Sequence, residues 1–239
     1  MNHPSVDVES CAISTWDLVP GLHYPPSEDR YIRACRARLD WTVQWLTHHG
    51  VAGKSVLEIG IGVAGICCRL MGASTTAWDV RTDFEGIAKA LGIRLIHIDL
   101  SSLGSWPSAS DYDIVIFAEV LEHLPVPPID VLKAVRAVLK PNGLLLLTTP
   151  NLVRLSNRIR MFMGKPLFAP FCREELVMGH VREYTLTEVE SHATAAGFRV
   201  LERHYQNWDL GRFEVLRPLV RWVPSLSNYI SLVGKNDEF

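Results

Sequence analysis

The sequence lacks the spacings that would announce a metal or disulfide framework. Its five cysteines, Cys11, Cys35, Cys67, Cys68 and Cys172, are odd in number and scattered, and none forms a CxxC pair. Neither a zinc site nor a disulfide scaffold follows, and no metal is expected. Thiols in a reducing compartment are the default. No apolar run approaches the ~20 residues of a membrane span. The opening MNHPSVDVES has neither the basic nor the apolar stretch of a secretory signal. The chain therefore reads as cytoplasmic. An excess of one charge is also missing. With 24 Lys and Arg against 26 Asp and Glu, the net charge is −2 and the pI about 6.5. Nothing here advertises a nucleic-acid or anionic-membrane surface, although a local basic patch can hide in the average. Internal repeats, low-complexity tracts and long polar linkers are absent as well.

What is present is the material of one ordinary globular α/β domain or two small ones. Of 239 residues, 48% are hydrophobic and 21% charged, so a core of normal size needs no metal or cross-link. Residues 1–28 read as a polar, proline-containing arm. Ser27 with Glu28 and Asp29 starts a helix that runs to residue 49, with Tyr31, Ala34, Leu39, Val43 and Leu46 at helical spacing. Strands are then expected at 55–59, 74–78, 94–98, 112–117 and 143–149. Helices are expected between them at 64–71, 83–91 and 129–139. Runs such as VIF and LLLL fit strands buried on both faces, so the alternation predicts a parallel sheet covered on both sides.

After Pro150 the alternation breaks for about 35 residues, with an amphipathic helix at 151–163 and a Pro- and Phe-rich stretch to Cys172. It resumes with a helix at 187–196, for which Thr187 and Glu190 offer a capping box. Strands follow at 198–205 and 229–233. Trp106, Trp208 and Trp222 read as packing residues. The basic and apolar alternation from Arg212 to Arg221 reads as a solvated helix face with a buried stripe.

The chemistry sits at the carboxyl ends of the strands, where open α/β sheets bind ligands. Glu58, Gly60, Gly62 and Gly65 follow the first strand and open a helix. Alone, such a glycine pattern marks nucleotide cofactors in general, or merely a tight turn. Three acids narrow it. Glu58, two residues before the first glycine, can reach the amine of an amino-acid ligand. Asp79 closes the second strand, where a carboxylate accepts both ribose hydroxyls. Asp99 closes the third, beside an adenine amine. For either aspartate alone, helix capping is the competing role.

The motifs VLEIGIGVAG (56–65), AWDV (77–80), IHIDLSSL (96–103), YDIVIFAEVLEHL (112–124) and LKPNGLLLLTTPN (139–151) occur in one order. Together they resemble the class I, Rossmann-like S-adenosylmethionine-dependent methyltransferases, across roughly residues 50–205. One departure is visible: Ala64 stands where the family's third glycine is usual, with Gly65 next to it. The resemblance implies a three-layer α/β sandwich with a seven-stranded, mostly parallel sheet whose last strand is antiparallel. It implies S-adenosyl-L-methionine as cofactor, S-adenosyl-L-homocysteine as product, and cofactor contacts at Glu58, Gly60, Ile61, Gly62, Asp79, Val80, Asp99, Leu100, Ala118 and Glu119. Residues 1–49 and an insert at 150–186 are expected to cover the acceptor side of a domain at 50–239.

His123, in the AEVLEHL segment, is a candidate base for a hydroxyl acceptor, or else shapes the pocket. A neutral amine acceptor would need no base. GHVREYT (179–185) resembles a segment found in a branch of the family that acts in sugar, quinone and secondary-metabolite pathways. There His180, Arg182 and Tyr184 are candidate acceptor contacts. The expected acceptor is a small molecule methylated on oxygen or nitrogen. Three rivals are weighed against it. A nicotinamide oxidoreductase would want a tyrosine–lysine pair, but Tyr184 is followed four residues on by Glu188. A non-catalytic binding protein has no need of the acid set. A nucleic-acid methyltransferase of the amino-group type would carry an Asp/Asn-Pro-Pro-aromatic tetrapeptide, which Thr149-Pro150-Asn151 does not supply.

Overall fold

A computed structural model describes residues 36–107, 109–168, 179–206 and 215–237. The arm, the start of the first helix, and Cys11, Cys35, Cys172 and Trp208 fall outside these residues, as do part of the insert and the beginning of the 212–221 segment.

Strands β1 (Ser55–Ile59), β2 (Ser74–Asp79), β3 (Arg94–His97), β4 (Tyr112–Ala118), β5 (Leu139–Pro150), β6 (Arg199–Gln206) and β7 (Tyr229–Lys235) form one sheet in the order β3-β2-β1-β4-β5-β7-β6. The first five are parallel, and β7 inserts antiparallel between β5 and β6. The expected seven strands and the reversed last strand are therefore present. The order reverses direction at β1: the chain builds outward to β3, then returns to lay β4 on β1's other side. That reversal is a topological switch point, where a crevice opens beyond the strand ends.

The helices are α1 (Arg36–His48), α2 (Val63–Leu70), α3 (Glu85–Leu91), α4 (Pro128–Val138), α5 (Leu155–Phe162), α6 (Leu186–Ala195) and α7 (Arg217–Trp222). Period-two alternation explains how the strands hold two cores. Leu57, Ile59, Val115, Phe117, Leu145 and Leu147 point to one face, against Val131, Leu132 and Val135 of α4 and Val189 and Ala193 of α6. Val56, Ile114, Ile116 and Leu146 point to the other, against Trp45 and Leu46 of α1 and Ala64 and Cys68 of α2. Burial on both faces leaves these strands no polar alternation, as VIF and LLLL promised. Cys67 and Cys68 are buried free thiols in α2, and burial pushes Cys67 up to about 12, so they pack as small apolar groups. Among the described residues no helix is long and apolar enough to cross a membrane.

Several boundaries move from expectation. Strand β5 begins at Leu139, directly after α4, rather than at 143. The chain there turns through Asn142 at φ +64, which admits an asparagine more readily than most residues. The capping box of α6 is also displaced. Thr185 is the N-cap: its backbone is extended, its hydroxyl accepts the Glu188 N–H, and the Glu188 carboxylate accepts the Thr185 N–H. Thr187 is exposed within the first turn, and Glu190 pairs instead with Arg203 on β6. Thr185→Ala should therefore cost about 1 kcal/mol in urea unfolding. Thr187→Ala should stay within about 0.5 kcal/mol of the parent. The opposite ranking would put the helix start at residue 187.

Candidate active site

The turn after β1 is shaped by contacts above and below it. Gly60 has φ +79 and donates its N–H to the Trp78 carbonyl at 2.8 Å. A Cβ there would sit 2.6 Å from Val120 Cγ2, beyond the end of β4. Glycine is thus required twice, for the left-handed backbone and for the close approach of the two strand ends. Beneath the turn lies Glu58, whose carboxylate accepts the Gly62 N–H at 2.8 Å. A Cβ on Gly65 would collide with that carboxylate. Gly65 thus leaves room for Glu58, while Ala64 packs in the core, so alanine at 64 costs the turn nothing. Burial pushes the Glu58 carboxyl up to about 7, with the Gly62 and Gly65 N–H groups opposing and the charge of Asp79 adding.

Asp79 ties the turn to β2. One carboxylate oxygen accepts the Ile61 N–H and the other the Arg81 N–H, each at 2.9 Å. Burial raises its carboxyl above the usual range despite these bonds. Val80 beside it is exposed. Asp99 lies two residues past the end of β3, on the surface. It accepts the Ser101 N–H and the hydroxyls of Ser101 and Ser102, and these bonds lower its carboxyl. Leu100 is half-buried against the core.

At the end of β4 the chain turns sharply. Ala118 is half-buried, and Glu119 adopts φ +57. The Glu119 carboxylate accepts the Thr148 hydroxyl at 2.9 Å and pairs with Arg38 of α1 at 2.8 Å. It is held to α1 and β5. Glu122 is buried and accepts the Thr149 hydroxyl at 2.9 Å. Burial, then the charge of Glu119, holds its carboxyl far above the usual range.

The GHVREYT segment is tied to this corner. The Glu122 carbonyl accepts the N–H groups of Val181 and Arg182, and the Tyr184 carbonyl accepts the Leu152 N–H. These bonds bring the ring of His180 edge-on to that of His123, centroids 4.9 Å apart. His180 Nδ1 lies 2.8 Å from Glu183, and Arg154 grips that carboxylate with two bonds, at 2.6 and 2.9 Å. Polar atoms of Glu122, His123 and His180 fall within 4.8 Å of one another. With Glu122 held toward its neutral form by burial and the charge of Glu119, against the bond from Thr149, and His180 held by Glu183, the cluster suits the handling of protons. Arg182 instead pairs with Glu188 at 2.7 Å and lies over the Tyr184 ring. Tyr184 itself is 2% exposed and packs in the core.

The structure thus gathers the glycine turn with Asp79, and His123 with His180. It sets Glu119 against Arg38 and Tyr184 in the core. Glu183, Arg154, Asn157 and Arg38 were not singled out from the sequence. Glu183 lay inside a quoted motif, whereas Arg154, at the N-cap position of α5, and Asn157, within it, have no spacing cue.

A family profile described as "Methyltransferase domain" matches residues 30–203. The ubiquinone biosynthesis O-methyltransferase of Haemophilus ducreyi is 36% identical over 115 residues, covering 43% of this chain and 48% of that one. The protein of the same description from Paraburkholderia xenovorans is 26% identical over 172 residues, covering 67% and 71%. The chain thus spans about half the length of the Haemophilus relative and more of the other. Among solved structures, the 1,6-didemethyltoxoflavin-N1-methyltransferase of Burkholderia thailandensis shares the fold at TM-score 0.59 and 17% identity, covering 100% and 94%. An S-adenosylmethionine dependent methyltransferase from Mesorhizobium loti shares it at TM-score 0.57 and 17% identity, covering 82% and 99%.

The buried carboxyl gives a pH signature. Folded, Glu58 titrates at about 7 rather than 4.5, so the unfolded chain loses this proton first. Native stability then falls as pH rises through that window and levels off above it. Glu58→Gln does not ionise and escapes the loss. Its stability relative to the parent should rise by about 3 kcal/mol across the window. Chemical denaturation at both ends measures this, and an unchanged difference would remove the shifted carboxyl.

Proposed function

This chain belongs to the methyltransferase-domain family, and on that premise we propose that it moves a methyl group from S-adenosylmethionine to oxygen or nitrogen of a small molecule. The observation that carries this reading is the glycine turn at the switch point, tied by Ile61 to the carboxylate of Asp79. The donor set fits the cofactor. Asp79 retains acceptor capacity for a ribose diol, and Asp99 stands exposed at the next strand end for an adenine amine. Gly60, Ile61, Gly62, Val80, Leu100 and Ala118 would line the same crevice. Glu58 supports it from below by holding the turn, and Glu119 by fixing the end of β4.

The group supplies an electrophilic methyl on a sulfonium, so the protein's part is positioning and the removal of a proton where the acceptor carries one. His123 is the imidazole that the sequence offers for that step, and His180 stands beside it. We assign Arg182 and Tyr184 to the acceptor side; the pairing of Arg182 with Glu188 and the packing of Tyr184 in the core support this reading, as outer and inner props of the corner. We assign the arm with α1, and the insert at 150–186, to covering it. A reducing, cytoplasmic setting without nucleic-acid partners is supported by the balanced charge and the buried thiols.

Titration calorimetry with S-adenosylhomocysteine and, separately, NADH tests the reading. Binding of the first and not the second is expected, and tight binding of NADH alone would overturn it. Asp79→Ala should weaken S-adenosylhomocysteine at least tenfold, about 1.4 kcal/mol. Unchanged affinity would remove Asp79 from the ribose role.

A further inference from the structure

The acceptor corner contains a buried ion pair that the cofactor has no use for. Glu183 is 1% exposed and pairs with His180 Nδ1. Its Oε2 accepts Arg154 Nη1 at 2.6 Å and Asn157 Nδ2 at 2.9 Å; its Oε1 accepts Arg154 Nη2 at 2.9 Å. The fourth neighbour is His180 Nδ1, 2.8 Å from Oε1. Burial alone would raise this carboxyl, but the bonds from His180, Arg154 and Asn157 hold it below the usual range. Glu183 is therefore a carboxylate, able only to accept. His180 Nδ1 must then carry the proton, which leaves the lone pair on Nε2. The ring is about a third exposed, 31% against 1% for Glu183, and Nε2 lies on the side of the ring away from the Nδ1 that meets the ion pair. The charged and titratable groups around it are Glu183 with Arg154 on one side, and His123 and Glu122 on the other.

We propose that His180 is the proton acceptor for a weakly acidic hydroxyl on the methyl acceptor, with Glu183 as the positioning residue that fixes its tautomer. This rests on the methyltransferase reading and narrows it to oxygen, since a neutral amine would need no such base. The acceptor O–H bond breaks, and its proton binds His180 Nε2. The oxygen's electron pair forms the new bond to the methyl carbon, and sulfur keeps the pair of the bond that breaks. The resulting imidazolium is stabilised by the carboxylate 2.8 Å from Nδ1, the arrangement by which a carboxylate orients a histidine base in hydrolytic triads. His123 packs edge-on against this ring and confines it.

Glu183→Gln provides the decisive change. Oε2 receives two fixed donors, Arg154 Nη1 and Asn157 Nδ2, whereas Oε1 receives one, Arg154 Nη2, beside an imidazole that can change tautomer. The Gln oxygen therefore takes the Oε2 position, and its NH2 takes the Oε1 position, gives up the Arg154 Nη2 bond and donates to His180 Nδ1. The proton then moves to Nε2, and the base is lost while its ring remains. Two-bond proton–nitrogen NMR on the full chain with S-adenosylhomocysteine should show Nδ1–H for His180 in the parent and in His123→Ala, and Nε2–H in Glu183→Gln. In parallel, methyl transfer to phenol should fall about a hundredfold or more in kcat in Glu183→Gln, with KM for S-adenosylmethionine unchanged. The second variant, His180→Gln, leaves the Glu183–Arg154 pair intact and should show the same loss. In both, the deficit should shrink for 4-nitrophenol, which is largely ionised at mildly alkaline pH and needs no base. An Nε2–H tautomer in the parent overturns the proposal, as does full phenol turnover in His180→Gln or an equal deficit for both phenols. A parent that binds S-adenosylhomocysteine but methylates neither phenol overturns the hydroxyl assignment. A parent that does not bind S-adenosylhomocysteine sinks the methyltransferase reading instead, and calorimetry on the same samples tells the two failures apart.

Discussion

One buried carboxyl organises the cofactor-side rim. Helix α2 begins at Val63, and its N-cap, Gly62, has no side chain with which to satisfy the free N–H groups of the first turn. Glu58, four residues upstream on β1, does this instead, reaching the Gly62 and Gly65 N–H groups from below. Its removal from water is costly, and the bonds to the helix start offset part of that cost. The arrangement dictates sequence on both sides. Gly65 must lack a Cβ because the carboxylate occupies its place, and Gly60 must turn left-handed for the chain to pass over it. The strand-to-helix turn is thereby rigid before any ligand arrives, which is the condition for presenting backbone N–H groups at a defined place.

From that turn the constraint spreads to both neighbouring strands. Ile61 hands its N–H to Asp79, fixing the end of β2, and Gly60 meets Val120 beyond β4 at a distance that excludes any side chain. Beyond Val120, the Glu122 carbonyl receives the N–H groups of Val181 and Arg182. A segment sixty residues later in the chain is so tied to the switch point. Cofactor side and acceptor side are parts of one connected rim, and the sheet order places them there.

The sheet was legible because its strands carry their own evidence. Runs buried on two faces admit only apolar residues, and Gly or Asp marks where each of the first strands stops. The misplaced cap of α6 shows the limit of local patterns: Thr185/Glu188 and Thr187/Glu190 are both threonine with glutamate three residues on. Tertiary structure decides, since Arg203 on β6 takes Glu190 while the Tyr184 strand contact leaves Thr185 extended. Glu119 and Tyr184 illustrate the same limit in the site. Each sits in a motif that points at the crevice, yet the partners that turn Glu119 toward α1 and bury Tyr184 come from distant segments. Arg154 and Asn157 carry no local signal, because their meaning lies in Glu183, on the far side of a stretch with no periodicity.

Glu119, Glu122 and Glu183 lie within one corner, all largely buried, and differ only in what faces them. Glu119 has a guanidinium at 2.8 Å. Glu122 has a hydroxyl and another carboxylate near it, so burial prevails and its proton is retained. Glu183 has a bidentate arginine, an amide and an imidazole, and these outweigh desolvation. Burial alone therefore does not decide protonation here; the count of donors does. A carboxyl that keeps its proton cannot orient a histidine base, because it no longer has only acceptors to offer. Of the two imidazoles in the corner, His180 is thus the one that a buried carboxylate prepares to take a proton.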